Sequence, residues 1–241
     1  MISFKQLQIG HKQALASVEI EMLKKGEMVA LIGSNGSGKT TLLKTIAGQL
    51  APINGTIDYD GKSITSLEKK ELARLIAFVP ARFPETDFLT VRDFIGLGRT
   101  PFLNQFGTMK TEDEKVVSKI IDRLGILHLA DKNTSDLSDG ERQLCSVARA
   151  LAQETPILLL DEPTGYLDYK NKRRLLSILA EVTAELNLIT LFSTHDLETI
   201  KSLKINLVGV HATKKNEGQI PLIVPIVVNL PLDEIVDEFY G

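Results

Sequence analysis

The chain has 241 residues, of which 43% are hydrophobic, so it can bury a sizeable core as one large domain or two coupled lobes. Its formal net charge of −3 argues against a chain-wide basic surface, so no nucleic-acid partner is expected. The single cysteine cannot form an internal disulfide. The first residues carry no signal-peptide pattern, and no apolar run approaches the roughly 20 residues of a membrane span. These observations favour a cytoplasmic chain without a membrane span of its own.

Short apolar runs predict the buried strands of the chain. Four runs fit this pattern: 27–33, 75–80, 156–163 and 188–196. Between the first two, "TTLLKTIAGQL" predicts a helix that closes at Gly48, and "GTIDYDGKSI" predicts a hairpin that turns at Asp60 and Gly61. Strands that alternate with helices favour a largely parallel sheet covered on both faces.

Two stretches differ from this alternation. Residues 84–136 have few β-branched runs and carry a charged, amphipathic pattern from Thr111, so we predict an inserted, mostly helical subdomain there. Residues 207–241 are rich in valine, isoleucine and proline. They predict edge strands, because proline interrupts a sheet ladder, and then a short acidic helix as a C-terminal extension.

The segment "GSNGSGKTT" matches G-x-x-x-x-G-K-[ST] and lies between a predicted strand and a predicted helix. Its glycines let successive backbone N–H groups face inward around an anion, and the following helix adds its positive N-terminal end. Lys39 is expected to reach the β- and γ-phosphates, and the Thr40 hydroxyl is expected to bind Mg²⁺. The segment predicts a nucleoside triphosphate site formed by Gly33, Ser34, Asn35, Gly36, Ser37, Gly38, Lys39, Thr40 and Thr41.

Two adjacent carboxylates end the predicted strand "ILLLDEP". Ligands of open α/β sheets bind at the carboxyl ends of the strands, so Asp161 and Glu162 should lie near the phosphates. We expect Asp161 to hold Mg²⁺ directly or through water, and Glu162 to polarise an attacking water as general base. The pair favours hydrolysis over simple nucleotide binding.

The segment "LSDGERQLCSVARAL" (137–151) allows two interpretations. Ser138 and Glu141 have the spacing of a capping box, in which each side chain satisfies a free backbone N–H at a helix start. The same helix start could instead present Ser138 and the Gly140 amide to a phosphate that another chain holds. The two roles are compatible.

Four motifs follow one another in the order "GSNGSGKT", "LSDGERQ", "ILLLDEPTGYLD" and "FSTHD". With this order and spacing, the chain from Met1 to about Ile200 resembles an ATP-binding-cassette (ABC) ATPase. The resemblance implies one nucleotide-binding domain over 1–241, of the α/β class. Its expected parts are a P-loop NTPase core with a mostly parallel sheet, an N-terminal antiparallel β subdomain and the inserted helical subdomain.

The resemblance also implies ATP and Mg²⁺ as ligands and a head-to-tail dimer with a second copy of the chain, which would bury two ATP molecules. Ser138 and Gly140 should then contact the γ-phosphate held by the partner. Asp168 lies in a segment that resembles the loop coupling the two sites across the dimer. His195 resembles the switch histidine of the family, which works with Glu162. His11 falls where the family has an aromatic residue stacked on adenine.

The sequence departs from the family pattern at two places. In the signature, Asp139 replaces a glycine and Glu141 a glutamine. After "IAFVP", the family has a glutamine that binds Mg²⁺ and links the site to the transmembrane partner, whereas this chain has Ala81. Alanine cannot bind a metal, so either a nearby polar residue such as Glu85 or Thr86 substitutes or this coupling is loosened.

With a single set of motifs, the chain resembles the separate ATPase subunit of an importer. The resemblance implies a place at the cytoplasmic face of the membrane, in contact with integral permease subunits and, through them, with a substrate-binding protein. "LTVRDFIGLGRTPFLNQFG" is similar to ATPases that serve iron-siderophore, haem and cobalamin permeases. The stretch Phe83–Phe106 is our candidate permease-contacting surface, and the alternative interpretation is ordinary core and loop of the helical subdomain. The alternative function is a soluble ABC ATPase that remodels a ribosomal, nucleic-acid or assembly complex. A P-loop kinase gives no reason for "LSDGERQ" together with His195.

Overall fold

The computed structural model describes residues 1–84, 86, 88–104, 106–210, 221–226 and 232–240. In these ranges the chain forms eleven strands of one mixed sheet and eight α-helices, with short 3₁₀ turns between some of them. The strands are β1 Ile2–Gly10, β2 Ala14–Val18, β3 Met22–Leu23, β4 Met28–Ile32, β5 Asn54–Tyr59, β6 Lys62–Ser63, β7 Ile76–Val79, β8 Ile157–Leu160, β9 Ile189–Ser193, β10 Asn206–Val210 and β11 Leu222–Ile226. The helices are α1 Lys39–Ile46, α2 Lys69–Leu75, α3 Val91–Gly96, α4 Thr111–Leu124, α5 Asp139–Ala152, α6 Tyr169–Glu185, α7 Leu197–Ser202 and α8 Leu232–Tyr240.

The sheet has a parallel half and an antiparallel half. The strand order is β6-β5-β1-β2-β11-β10-β4-β9-β8-β7, with β3 paired beside β1. Strands β7, β8, β9, β4 and β10 are mutually parallel, whereas β1 is antiparallel to β2, β3 and β5. The predicted fold class is confirmed: a mostly parallel core joins an N-terminal antiparallel region. The predicted hairpin is also present, with β5 paired to β6.

The parallel strands are short and apolar because both faces of the sheet are covered. One cluster of buried residues includes Phe94 of α3, Ile121 of α4 and Val147 of α5, packed on one face. The other cluster includes Leu42 and Ile46 of α1 with residues of β1 and β5. The 84–136 segment contains α3 and α4 and no strand within its described residues, as the predicted helical subdomain requires. The division into domains stays a prediction.

The prediction of edge strands after residue 207 is wrong. Strands β10 and β11 lie inside the sheet, between β4 and β2. Pro225 is tolerated because β11 pairs with β2 only at Leu222 and Ile223, so the side where proline lacks its N–H lies beyond the end of that ladder. The predicted short helix follows as α8, which packs Ile235 and Phe239 into the core.

Candidate functional site

The carboxyl ends of three neighbouring parallel strands meet at one edge of the sheet. The phosphate-loop segment follows β4, the two carboxylates follow β8, and "THD" follows β9. The register places Leu31 opposite Ser193 and Leu160 opposite Phe192, so the three segments emerge side by side. This edge is where open α/β sheets bind their ligands.

The loop from residue 33 to residue 38 is a cradle that needs its glycines. Gly33, Gly36 and Gly38 have φ values of 143°, 78° and 112°, which side chains rarely allow. A Cβ on Gly33 would also meet the Ser37 Oγ and the Val210 carbonyl oxygen at 3.1 Å. The Ser37 hydroxyl is buried and has no hydrogen-bond partner in the described part of the chain. A phosphate oxygen is the partner that this loop geometry fits.

The Lys39 ammonium lies over this loop. Its Nζ donates hydrogen bonds to the carbonyl oxygens of Gly33 at 2.7 Å and Ser34 at 3.0 Å. Burial lowers the pKa of Lys39, and the nearby charges of Glu162 and Asp161 oppose that shift. The ammonium therefore stands at the mouth of the cradle, where phosphate oxygens could replace the carbonyl oxygens as its acceptors.

Hydroxyl groups connect the phosphate loop to the carboxylates. The Thr40 Oγ1 donates to Asp161, with 2.8 Å to Oδ2 and 3.1 Å to Oδ1. On its other side, Asp161 Oδ1 accepts a hydrogen bond of 2.6 Å from the Ser193 Oγ. The same Oγ accepts a hydrogen bond of 2.8 Å from the Glu162 backbone N–H. One serine thus bonds both to the Asp161 carboxylate and to the Glu162 backbone.

Glu162 and His195 complete this group of residues. The His195 Nε2 lies 3.2 Å from the Glu162 Oε1, and both side chains are partly exposed. Glu162 has a φ of 48°, a conformation that residues other than glycine rarely adopt. Such strain persists where surrounding structure holds the residue, here through the bond from its N–H to Ser193. We call Thr40, Asp161, Ser193, Glu162 and His195 the catalytic row, after the catalytic roles that the sequence predicts for Glu162 and His195.

The row fits a magnesium ion that phosphates help to hold. Mg²⁺ is bound in proteins by one or two carboxylates, hydroxyls, waters and substrate phosphates. The Thr40 hydroxyl and the Asp161 carboxylate form such a set. The described residues contain no cluster of three or more His, Cys, Asp or Glu that would hold a metal alone.

The start of α5 forms the predicted capping box. The Ser138 Oγ donates to the Glu141 carboxylate at 2.8 Å, and the Ser138 N–H donates to it at 2.9 Å. The hydrogen bonds from the Ser138 backbone and hydroxyl lower the pKa of Glu141. Gly140 packs on a neighbouring loop, because a Cβ there would meet the Tyr166 carbonyl oxygen at 3.2 Å. Ser138 is exposed, as the second interpretation of this segment requires.

Asp168 and His11 lie in exposed positions at the ends of elements. Asp168 caps α6, since its carboxylate accepts hydrogen bonds from the Asn171 N–H at 2.8 Å and the Asn171 amide at 3.1 Å. His11 lies in the β1–β2 turn. Leu15, in the adjoining strand β2, approaches the phosphate loop, since a Cβ on Gly38 would lie 3.4 Å from its side chain. The roles assigned to both residues stay predictions.

Within the described part of the chain, no residue is seen to replace the missing glutamine. Among the described residues, neither Ala81 nor Thr86 makes a hydrogen bond to the catalytic row. The Thr86 carbonyl instead accepts a hydrogen bond of 2.6 Å from the Thr134 hydroxyl. The other candidate, Glu85, lies outside the described residues.

A glycine cradle with a lysine, a threonine–aspartate link and a neighbouring glutamate define a P-loop nucleoside triphosphatase. The sequence model of the ABC transporter family matches residues 18–165, more than half of the chain. The ferric enterobactin transport ATP-binding protein of Escherichia coli is 37% identical over 193 residues, which cover 80% of this chain and 71% of that protein. The chain therefore belongs to the ABC transporter family, as its ATP-binding subunit, and is an ATPase.

Solved structures agree with this assignment. A metal-chelate type ABC transporter in an inward-facing conformation is 28% identical, with a TM-score of 0.76 over 99% of this chain and 88% of that one. An ATP-binding cassette dimer in a post-hydrolysis state, bound to ADP and Pi, is 26% identical. Its TM-score is 0.73 over 86% of this chain and 93% of that one. The resemblance inferred from the four motifs is confirmed.

Sequence analysis missed two residues of the site. Ser193 ends an apolar strand, and a serine at the last position of a fully buried strand was the available signal. Tyr240 approaches His195 from α8, with ring centroids 5.9 Å apart. No sequence motif indicated this contact, because 45 positions separate the two residues.

Proposed function

We propose that this subunit hydrolyses ATP as one half of a head-to-tail pair of identical chains and thereby powers an importer in the membrane beside it. The observation that carries the proposal is the catalytic row, which joins the phosphate loop to Glu162 and His195 through direct contacts. The exposed start of α5 supplies the Ser138 hydroxyl and the Gly140 amide, which would complete the active site of a partner chain. In the described residues, no helix is long and apolar enough to cross a membrane.

Each residue of the site has a task in the proposed reaction. The cradle amides and Lys39 bind the phosphates of ATP, and Mg²⁺ between Thr40 and Asp161 would neutralise charge on the β- and γ-phosphates. Glu162 polarises a water that attacks the γ-phosphorus while the bond to the β-phosphate oxygen breaks, which yields ADP and phosphate. His195 holds the γ-phosphate and the water. His11 stacks on the adenine.

The start of α5, which carries the signature segment, supports the pairing of two chains. The Ser138 hydroxyl can turn from the Glu141 carboxylate to a phosphate oxygen of the partner, since both are acceptors at the same helix start. The Gly140 amide lies beside it. Gly140 also packs on the loop that runs from Tyr166 to Asp168. Closing of the dimer would therefore couple the signature segment at the start of α5 to this loop. ATP favours the closed pair because only that state offers it both half-sites.

The candidate permease surface carries exposed aromatic side chains. Within Phe83–Phe106, Phe88 is 93% exposed and Phe106 is 90% exposed. Large apolar side chains left in water favour contact with another surface. The similarity to the ferric enterobactin ATPase and to the metal-chelate type transporter supports an iron-siderophore, haem or cobalamin importer. A substrate-binding protein would join it through the permease. The chain would then act at the cytoplasmic face of the membrane.

The dimer is tested with Glu162→Gln. This variant should bind ATP and Mg²⁺, lose turnover by more than about 100-fold because the water is no longer polarised, and elute as a dimer with ATP. Glu181→Gln, an exposed position on α6, is the matched control and should remain active. Undiminished hydrolysis by Glu162→Gln would remove Glu162 from its proposed role, and a persistent monomer with bound ATP would contradict the pairing.

The membrane partner is tested by a pull-down of tagged Glu162→Gln with ATP and Mg²⁺ in mild detergent, with partners identified by mass. A stoichiometric polytopic membrane protein is expected, and Phe88→Ser with Phe106→Ser should lose it while ATPase activity persists. A soluble partner with no membrane protein retained would contradict the importer. Uptake of siderophore, haem and cobalamin by cells that lack this subunit then tests the substrate class.

A further inference from the structure

Helix α8 packs directly on the phosphate loop. The Phe239 carbonyl oxygen accepts a hydrogen bond of 3.1 Å from the Ser34 backbone N–H, the first residue after Gly33. Ile235 and Phe239 of this helix are buried in the core. Two kinds of contact therefore hold the helix in place: the packing of its apolar side chains in the core and the backbone hydrogen bond to the phosphate loop.

Tyr240 brings its ring to the switch histidine. The rings of Tyr240 and His195 lie 5.9 Å apart at an angle of 60°, an edge-on arrangement that aromatic pairs prefer. The Glu162 carboxylate lies 3.2 Å from the Nε2 of the same imidazole. His195 thus has the carboxylate it works with as one neighbour and the Tyr240 ring as another.

The Tyr240 hydroxyl is also at the site. Its oxygen is buried and makes no hydrogen bond of good geometry within the part of the chain that the structure describes. Burial raises the pKa of Tyr240, the Gly33 backbone opposes this shift, and the charge of Glu162 adds to it. The side chain is therefore a neutral phenol next to the phosphate loop. The contact of Tyr240 with His195 is made by its ring.

We propose that Tyr240 is a positioning residue for ATP hydrolysis, whose ring restricts the His195 imidazole to the orientation that faces Glu162 and the nucleotide. Without the ring, the imidazole can rotate into the space that the phenol fills, and the fraction of productive geometries falls. This inference rests on the proposed role of His195. It concerns turnover, because neither ring is part of the cradle that binds the phosphates.

The test compares Tyr240→Phe, Tyr240→Leu and Tyr240→Ala by their steady-state ATPase kinetics. The phenylalanine variant keeps the ring and should retain kcat close to that of the unmodified protein. Leucine fills only part of the space of the ring and alanine leaves it open, so kcat should fall about 10-fold in the leucine variant and about 100-fold in the alanine variant, with little change in KM. Glu234→Ala, an exposed position on the same helix, is the control and should be unchanged. Thermal unfolding of each variant identifies any that fail to fold.

A double-variant cycle separates positioning from a general structural effect. If Tyr240 acts through His195, then Tyr240→Leu should lower kcat no further in a His195→Ala background. An additive loss, a loss of equal size in Tyr240→Phe, or normal kcat in Tyr240→Leu would each overturn the inference. Normal turnover by His195→Ala alone would instead contradict the proposed role of His195, so the two failures are distinguishable.

Discussion

The catalytic row and the start of α5 both serve the nucleotide in the proposed function, yet they are built differently. The bonds of the row join residues distant in sequence, 121 positions apart for Thr40 and Asp161 and 32 for Ser193 and Asp161. The bonds at the start of α5 span three positions, from Ser138 to Glu141. The row therefore exists only once the sheet is assembled, whereas the helix start is complete as soon as its first turn forms.

In the proposed function, this difference allows one chain to carry halves of two different sites, the cradle with its row for one nucleotide and the start of α5 for the nucleotide of the partner. The row is held by partly or fully buried hydrogen bonds next to the cradle of its own chain. The helix start satisfies its own backbone N–H groups and stays exposed. It therefore leaves no backbone group without a hydrogen bond when no partner chain is present. The following predictions test this contrast in order of expected effect.

The largest effect is expected from mixing two inactive variants. Lys39→Ala damages the cradle and Ser138→Ala damages the helix start, so each alone should lose nearly all ATPase activity. In a head-to-tail pair, one of each leaves one intact site, and an equal mixture should recover about a quarter of normal activity because half of the random pairs are mixed. Phosphate release measures the recovery.

The control for this mixture is each variant mixed with itself at the same total concentration. Mixed pairs are verified by capture of one tag and detection of the other. Absence of activity in verified mixed pairs would mean that both halves of a site come from the same chain, and the contrast between the two regions would disappear.

The next effect concerns the serine that the row requires. Ser193→Ala removes the hydroxyl that donates to the Asp161 carboxylate and accepts from the Glu162 N–H, so the Asp161 carboxylate and the Glu162 backbone each lose a hydrogen bond. We expect kcat to fall about 10- to 100-fold while the fold persists, as for other groups that orient metal-binding residues. Ser202→Ala on α7 is the control. Unchanged kcat with Mg²⁺ would show that Asp161 and Glu162 do not depend on this bond.

A smaller, pH-dependent effect is expected at the capping box. The lowered pKa of Glu141 means that folding favours its carboxylate, so this stabilisation is present at neutral pH and is lost as the pH falls through the lowered pKa. Glu141→Gln should cost about 1 kcal/mol or less at pH 7, and the difference should shrink below about pH 4. Urea unfolding at several pH values measures it.

The comparison for this variant is Glu181→Gln, at an exposed position on α6. A difference between Glu141→Gln and the unmodified protein that stays constant from pH 7 to acid would mean that the carboxylate charge contributes nothing at this helix start. The capping role would then rest on hydrogen-bond geometry alone.

The smallest effect contrasts the buried middle of α5 with its exposed start. Burial raises the pKa of the Cys145 thiol to about 12, so the reactive thiolate is scarce at neutral pH. The folded protein should resist alkylation for hours, and the unfolded protein should be modified rapidly. Mass measurement after each treatment checks this. Rapid alkylation without unfolding would show that this part of α5 opens to solvent.

The local features of the site were already determined by the sequence. The phosphate loop, the strand before it, the helix after it and the capping box all depend on residues within a few positions of one another. Glycine at 33, 36 and 38 and the spacing of Ser138 and Glu141 express rules of backbone conformation that apply before any tertiary contact. The four motifs then sufficed to indicate the family, which the comparisons confirm.

Only the tertiary structure decided which strands are neighbours in the sheet and which side chains meet at the site. Pro225 suggested an edge strand, but the pairing partners of β11 decided that it lies within the sheet, because proline harms a ladder only where its missing N–H faces a paired strand. Ser193 and Tyr240 reach the site from separate elements. Their roles depend on the distance between side chains that the sheet register and the packing of α8 set, and no spacing along the chain encodes that distance.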